Sequence, residues 1–254
     1  MKPWVLITGA SAGIGYELAK LFAADGGNLV LVARDAARLE KFAAELRAAH
    51  GIEVKVLAKD LAHPESPKEI FAALRDTPVS ILVNNAGFGW HGEFARGEIS
   101  TSLDMMHVNM DALVELTHLF LPPMLARRAG KIMNVASTAA FQPGPFAAIY
   151  YATKAFVYSF SCALAEELTG TGVTVTTFCP GGTRTEFHKR AGMERTSGRM
   201  PQMDAATAAH IGYRGLLRGK LVIVPGVSNK IISNIASRMP TRLMNKVVRK
   251  LNKV

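Results

Sequence analysis

The sequence predicts an α/β protein built on one doubly wound sheet of about seven mainly parallel strands, with helices on both faces. Three observations carry that prediction. Short apolar runs alternate with longer segments of helical spacing along the chain. A glycine loop follows the first strand directly. Each later cluster of polar residues falls at the end of a predicted strand or on the next helix, where open parallel sheets bind their ligands.

In order, Trp4–Thr8, Asn28–Ala33, Glu53–Ala58, Ser80–Asn84, Lys131–Ala136, Val173–Cys179 and Leu221–Val224 are short apolar runs bounded by Gly, Pro, Asn or Asp. Several are rich in Val and Ile, and they read as strands buried on both faces. Between them, Ile14–Ala24 and Arg38–Ala49 have helical spacing, the second with Leu39, Phe42, Ala43 and Leu46 on one stripe. Ser66–Leu74, one long helix from about Leu103 to Leu125, Ile149–Leu168 and Ala205–Leu217 complete the set. Strict alternation implies right-handed crossovers and a Rossmann-like arrangement. No internal repeat or low-complexity linker interrupts it, so residues 1–226 read as one domain and 227–254 as a basic amphipathic extension.

With 254 residues, 49% hydrophobic and 20% charged, the chain can bury one substantial core. No apolar run reaches the roughly 18 residues of a bilayer span. Met1-Lys2-Pro3 leads at once into the first strand, too short a start for a signal-peptide core, so a cytoplasmic chain is expected. Cys162 and Cys179 stand among apolar neighbours without metal-ligand spacing and read as two buried thiols. The net charge of +10 is local: up to Asp204, the last acid, 20 acids meet 20 of the 30 bases, and the other ten bases follow it.

The loop Thr8-Gly9-Ala10-Ser11-Ala12-Gly13-Ile14-Gly15 joins the first strand to the first helix. Glycines there let the backbone approach a pyrophosphate, whose charge the helix N-terminus favours. At the end of the second strand, Ala33 stands where an NAD site would place a carboxylate, and Arg34 offers a fork suited to a 2′-phosphate. Arg38 can assist; Asp35 keeps an NAD reading open. Asp60-Leu61 ends the third strand, where a carboxylate can accept from an adenine amino group, and Asn84-Asn85-Ala86-Gly87 ends the fourth. These favour NADP(H) and place wall and floor of a cofactor cleft.

Ser137 follows the fifth strand, and Tyr150-Tyr151-Ala152-Thr153-Lys154 opens the next helix. Residues four apart share a helical face, so Tyr150 and Lys154 point together. A nearby ammonium and an oxidised nicotinamide would both favour the phenolate of Tyr150, fitting it to pass a proton to a carbonyl oxygen that Ser137 orients. Tyr151 competes for the role but has no serine at the matching distance.

Together Thr8–Gly15, Asn84–Gly87, Asn109, Ser137, Tyr150-x-x-x-Lys154 and Pro180-Gly181 resemble the short-chain dehydrogenase/reductase family over roughly the first 185 residues. The resemblance implies that Tyr150 is the acid/base, that Lys154 lowers its pKa and holds the nicotinamide ribose, that Ser137 positions the carbonyl, and that Asn109 holds a relay water. It implies dinucleotide contacts from Gly9, Ser11, Gly13, Ile14, Gly15, Arg34, Asp60, Leu61, Asn85, Ala86, Gly87, Tyr150, Lys154, Pro180, Gly181 and Thr185, and a homodimer or homotetramer. Asn85-Ala86-Gly87-Phe88-Gly89 is similar to a bacterial branch of unassigned substrates, and Glu186–Met203 would be the substrate lid. The expected activity is NADPH-dependent interconversion of an apolar ketone, aldehyde or 3-oxoacyl group with its alcohol. The rivals are an NAD-linked alcohol dehydrogenase and a dinucleotide-dependent binding protein.

Trp90, His91, Phe141, Phe146 and Phe187 fall near the expected pocket, as packing or as substrate contacts; His91 and His188 have no catalytic case. In the tail, Ile231, Ile232, Ile235, Ala236 and Met239 form one amphipathic pattern, Pro240 breaks it, and Thr241 is placed to cap a second. There Leu243, Met244, Val247, Val248 and Leu251 make a stripe opposite Arg242, Lys246, Arg249, Lys250 and Lys253. Such a helix suits peripheral contact with anionic lipid, or packing on the body or a second subunit. No recognition motif or stacking aromatic in the tail points to nucleic acid.

Overall fold

A computed structural model describes residues 2–187, 191–192 and 202–253. Seven parallel strands form the main sheet in the order β3-β2-β1-β4-β5-β6-β9. They are β1 (Trp4–Thr8), β2 (Asn28–Ala33), β3 (Val54–Ala58), β4 (Val79–Asn84), β5 (Gly130–Val135), β6 (Val173–Phe178) and β9 (Val222–Ile223). The chain winds outward from β1 to β3, then crosses back to lay β4 on the other side of β1. The strand order therefore reverses beside β1, and a crevice opens between the carboxyl ends of β1 and β4.

The helices are α1 (Gly13–Ala24), α2 (Ala36–His50), α3 (Ser66–Ala73), α4 (Ile99–Met106), α5 (Ala112–Ala126), α6 (Ala148–Glu167), α7 (Ala205–Leu217), α8 (Val227–Ala236) and α9 (Thr241–Asn252). Alternate strand residues feed two cores, as a period of two dictates. Val5, Ile7, Leu29 and Leu31 pack with Leu18 and Phe22 of α1 and Leu39 of α2. Leu6, Val30, Val32 and Leu82 face the opposite way, onto Ile70 of α3 and Leu116 and Phe120 of α5.

Three sequence readings need correction. The single helix from Leu103 to Leu125 is interrupted: α4 runs into a π-helical turn at His107–Asp111 before α5 begins. Hydrophobic spacing does not register one wide turn, because the helix axis continues through it. Thr241 does not cap α9; Pro240 occupies the N-cap position and Thr241 is the first helical residue. Cys162 is only partly buried, while Cys179 is buried. Just before Thr185, β7 (Thr183–Arg184) pairs with β8 (Met203–Asp204) in a small parallel ladder that spacing did not suggest. Of the predicted lid, residues 188–190 and 193–201 lie outside the described residues, as does His188.

Candidate active site

One cavity of about 1210 Å³ spans the crevice. Gly9, Ser11, Gly13 and Ile14 line one end, Arg34, Asp60 and Leu61 its side, and Asn85, Ala86 and Gly87 its floor. Ser137, Tyr150, Lys154, Pro180, Gly181 and Thr185 line it further on. Two of the sequence-chosen residues, Gly15 and Asn109, lie behind the wall.

The glycine loop is shaped by contacts that leave no room for side chains. Gly9 has φ +66°, and a Cβ there would stand 2.8 Å from Asn85 Nδ2 and 2.9 Å from the backbone of Ala86. At Gly15 a Cβ would lie 2.5 Å from the Gly9 carbonyl oxygen. Asn85 closes this unit by donating to Thr8 O at 2.8 Å and Gly9 O at 3.2 Å, so its amide serves the loop. Asn84 points elsewhere. It bonds Thr117 and Asn134 beneath the sheet end, and Asn134 continues to Ser161 of α6. The first of the two asparagines is thus a buried tie between β4, β5 and α6 and not a wall of the cleft. α1 begins at Gly13 with no side-chain cap, so its first amides remain available beside the cradle. A dinucleotide pyrophosphate fits such a cradle.

Both arginines beside β2 already have carboxylate partners. Arg34 lies 3.7 Å from Asp60, and Arg38 grips Glu186 with two bonds of 2.8 and 3.2 Å. The Glu186 bond and charge raise the Arg38 pKa. Asp35 also lines the cavity and caps α2 by accepting from Arg38 N–H at 3.0 Å.

At the other end Ser137, Tyr150 and Lys154 converge. Ser137 accepts from the Ala139 N–H at 3.1 Å, and its hydroxyl stands beside the Tyr150 phenol, whose pKa it lowers. Lys154 is buried and donates to the Val135 carbonyl at 2.9 Å, its Nζ 5.9 Å from the Tyr150 ring centre. Burial pushes the Tyr150 phenol up to about 12, against the Ser137 bond that lowers it. Burial likewise brings Lys154 down to about 8. Burial therefore outweighs Ser137 and holds the phenol protonated. Cys179, near Lys154, is pushed up to about 12 by burial and remains an inert thiol.

Asn109 sits in the π-helical turn, 1% exposed. Its amide exchanges bonds of 3.0 Å with the backbone of Phe88 and donates to Thr153 on α6. Gly87 is held so close that a Cβ would meet Asn109 Oδ1 at 2.9 Å and Lys154 Nζ at 3.3 Å. π-turns inside helices are frequent at functional sites, and this one links the β4 loop to the Tyr150 helix.

The apolar part of the cavity was mostly missed. Of the five residues near the expected pocket only Phe187 lines it, 5.4 Å from the Tyr150 ring. Trp90 and Phe146 border a separate void of about 30 Å³, and Phe141 packs on Tyr158. The wall is instead supplied by the C-terminal helices, through Ile232, Ile235, Met239, Met244, Val247 and Leu251. Buried Met244 and Val248 pack with Ala236 against Phe141 and Tyr151. Asn252 fastens the end of α9: its side chain donates to Pro145 O at 2.9 Å and its carbonyl meets His91 Nε2 at 2.7 Å. The Met244, Val247, Val248 and Leu251 stripe was the available signal, but a stripe does not name the surface it covers.

A doubly wound sheet, a glycine cradle at its switch point and a buried Ser-Tyr-Lys cluster on one cavity define a nicotinamide-dinucleotide oxidoreductase. Comparison with known proteins makes this specific. The "short chain dehydrogenase" family profile matches residues 3–196, and the chain belongs to that family. It is 35% identical over 194 residues to mouse 17-beta-hydroxysteroid dehydrogenase type 3, covering 74% of this chain but only 63% of that protein. It is 30% identical to the very-long-chain 3-oxoacyl-CoA reductase of Anas platyrhynchos, over 98% of this chain and 80% of that one. A short-chain dehydrogenase from Sphingobium yanoikuyae, solved with NADPH, superposes with a TM-score of 0.84 at 35% identity, covering 94% of this chain and 96% of that one.

Proposed function

We propose that this enzyme uses NADPH to reduce a bulky apolar ketone, aldehyde or 3-oxoacyl group to its alcohol. The observation that carries the reading is the joining of the Ser137, Tyr150 and Lys154 cluster to a cavity wall of Ile232, Ile235, Met239 and Val247. The resemblance to relatives named for steroid and very-long-chain acyl substrates supports it.

When bound, the reduced nicotinamide supplies the hydride to the carbonyl carbon. The chain supplies the rest. Tyr150, held protonated by burial, gives its proton to the carbonyl oxygen as negative charge develops there. Ser137 donates to the same oxygen and orients it. Lys154 holds the ribose and, with the positive ring of the oxidised cofactor, stabilises the phenolate left behind. Asn109 positions the helix behind them. Gly9, Ser11 and Gly13 cradle the pyrophosphate, and Arg34 and Arg38 exchange their carboxylate partners for a 2′-phosphate. Exposed Ile99 and Leu103 on α4 and Phe156 on α6 support self-association as a homodimer or homotetramer.

The test is NADPH oxidation across a panel of aliphatic ketones, steroid ketones and 3-oxoacyl thioesters, with Tyr150→Phe alongside. Turnover favouring large apolar members, and lost in the variant while it still binds NADPH, is the expected result. Equal rates for small polar ketones would overturn the substrate class, and undiminished turnover in Tyr150→Phe would overturn the acid/base role.

A further inference from the structure

We propose that α8 and α9 form a docking surface for an anionic lipid bilayer. Thirteen large hydrophobic side chains are exposed on the described residues, and seven of them lie on these two short helices. Val227, Ile231 and Ile235 recur every four residues along α8, and Leu243, Val247 and Leu251 do so along α9. Such a spacing makes one continuous stripe per helix. The adjoining flank of α9 is already used, since Met244 and Val248 are buried on the body. Val227, Ile231, Leu243 and Val247 of these stripes stand exposed.

Charge selects the occupant. Every basic residue from Lys230 to Lys253 is exposed, and the sequence has no acid after Asp204. A second copy meeting the same face would set basic residues against their own kind, because a two-fold contact pairs each patch with itself. Nucleic acid would satisfy the bases but not the apolar stripes. An anionic bilayer satisfies both: headgroups meet the bases, each worth roughly fivefold in affinity near the surface, while Val227, Ile231 and Leu243 enter the acyl boundary. Among the described residues no helix is long and apolar enough to cross a membrane, so the contact is peripheral.

The stripes also continue into the cavity. Ile232, Ile235, Val247 and Leu251 are exposed and line it as well. Docking would therefore turn the apolar mouth toward lipid. That route for substrate rests on the function proposed above; the docking itself does not.

The experiment is vesicle co-sedimentation of the full chain, with a variant combining Val227→Ser, Ile231→Ser and Leu243→Ser, three residues outside the cavity lining. The wild type is expected to pellet with phosphatidylglycerol-containing vesicles, to do so less as salt rises, and to stay in solution with phosphatidylcholine vesicles. The variant is expected to bind vesicles more than about tenfold more weakly with unchanged NADPH affinity and unchanged turnover of a small water-soluble ketone. A wild type that ignores anionic vesicles, binds neutral ones equally, or binds no better than the variant overturns the proposal. So does a solution dimer that the variant splits, which would assign the stripes to a second copy.

Discussion

The two ends of the cavity are built in opposite ways. At the dinucleotide end the residues come in short motifs: the Gly9–Gly15 loop leaves space for backbone and for Asn85, and Tyr150 and Lys154 share one helical face. At the substrate end the wall comes from residues more than 80 positions after Tyr150, held there by Met244, Val248 and Asn252. Where chemistry demands particular atoms, the residues are few and their types fixed. Where it demands only apolar surface, many residues serve and the arrangement depends on how a terminal helix packs.

The largest test of that contrast lies in the glycine loop. Gly15→Val would drive a side chain into the Gly9 carbonyl and Asn85. Overpacking against backbone costs on the order of 1–3 kcal/mol or more, and dinucleotide affinity is expected to fall by about a hundredfold. Fluorescence titration with NADPH checks it; affinity within a few-fold of wild type would show that the loop yields.

At the other end, Met244→Ala is expected to destabilise by about 2 kcal/mol and raise KM for bulky substrates by roughly tenfold. Turnover of a small ketone should change little, because Ser137, Tyr150 and Lys154 stay in place. A proportionate loss with both substrates would mean that α9 supports the Ser137, Tyr150 and Lys154 cluster and not only the wall.

A smaller effect concerns cofactor choice. Arg34→Ala combined with Arg38→Ala should lower the preference for NADPH over NADH by about tenfold or more, measured as the ratio of the two dissociation constants. An unchanged ratio would leave the arginines as partners of Asp60 and Glu186 alone.

The smallest concerns Lys154, whose pKa falls from 10.5 to about 8 on burial. Between those values the unfolded chain binds the proton that the folded chain has released, so stability rises with pH across that window. The contribution is complete above 10.5 and lost as pH falls through about 8. Lys154→Met should therefore melt higher than wild type at neutral pH, and the gain should shrink as pH climbs through the window. A pH-independent difference would show that Lys154 keeps its proton throughout. Activity would be lost in either case, so the melt alone decides.

The sequence by itself determined the sheet, the glycine cradle and the Ser137, Tyr150 and Lys154 set. Those depend on short-range facts: strand burial with a period of two, a turn that needs glycine, and side chains four apart on a helix. Only the tertiary structure decided that Asn84 is a buried tie while Asn85 closes the loop, since their partners Thr117, Asn134 and Thr8 lie far off in the chain. It alone placed Asn109 in a π-helical turn bonded to Phe88, and fastened Asn252 to Pro145 and His91. The physical reason is the same throughout. Periodicity reports which face of an element is apolar, whereas the identity of the surface that covers it is settled by contacts between residues far apart in the chain.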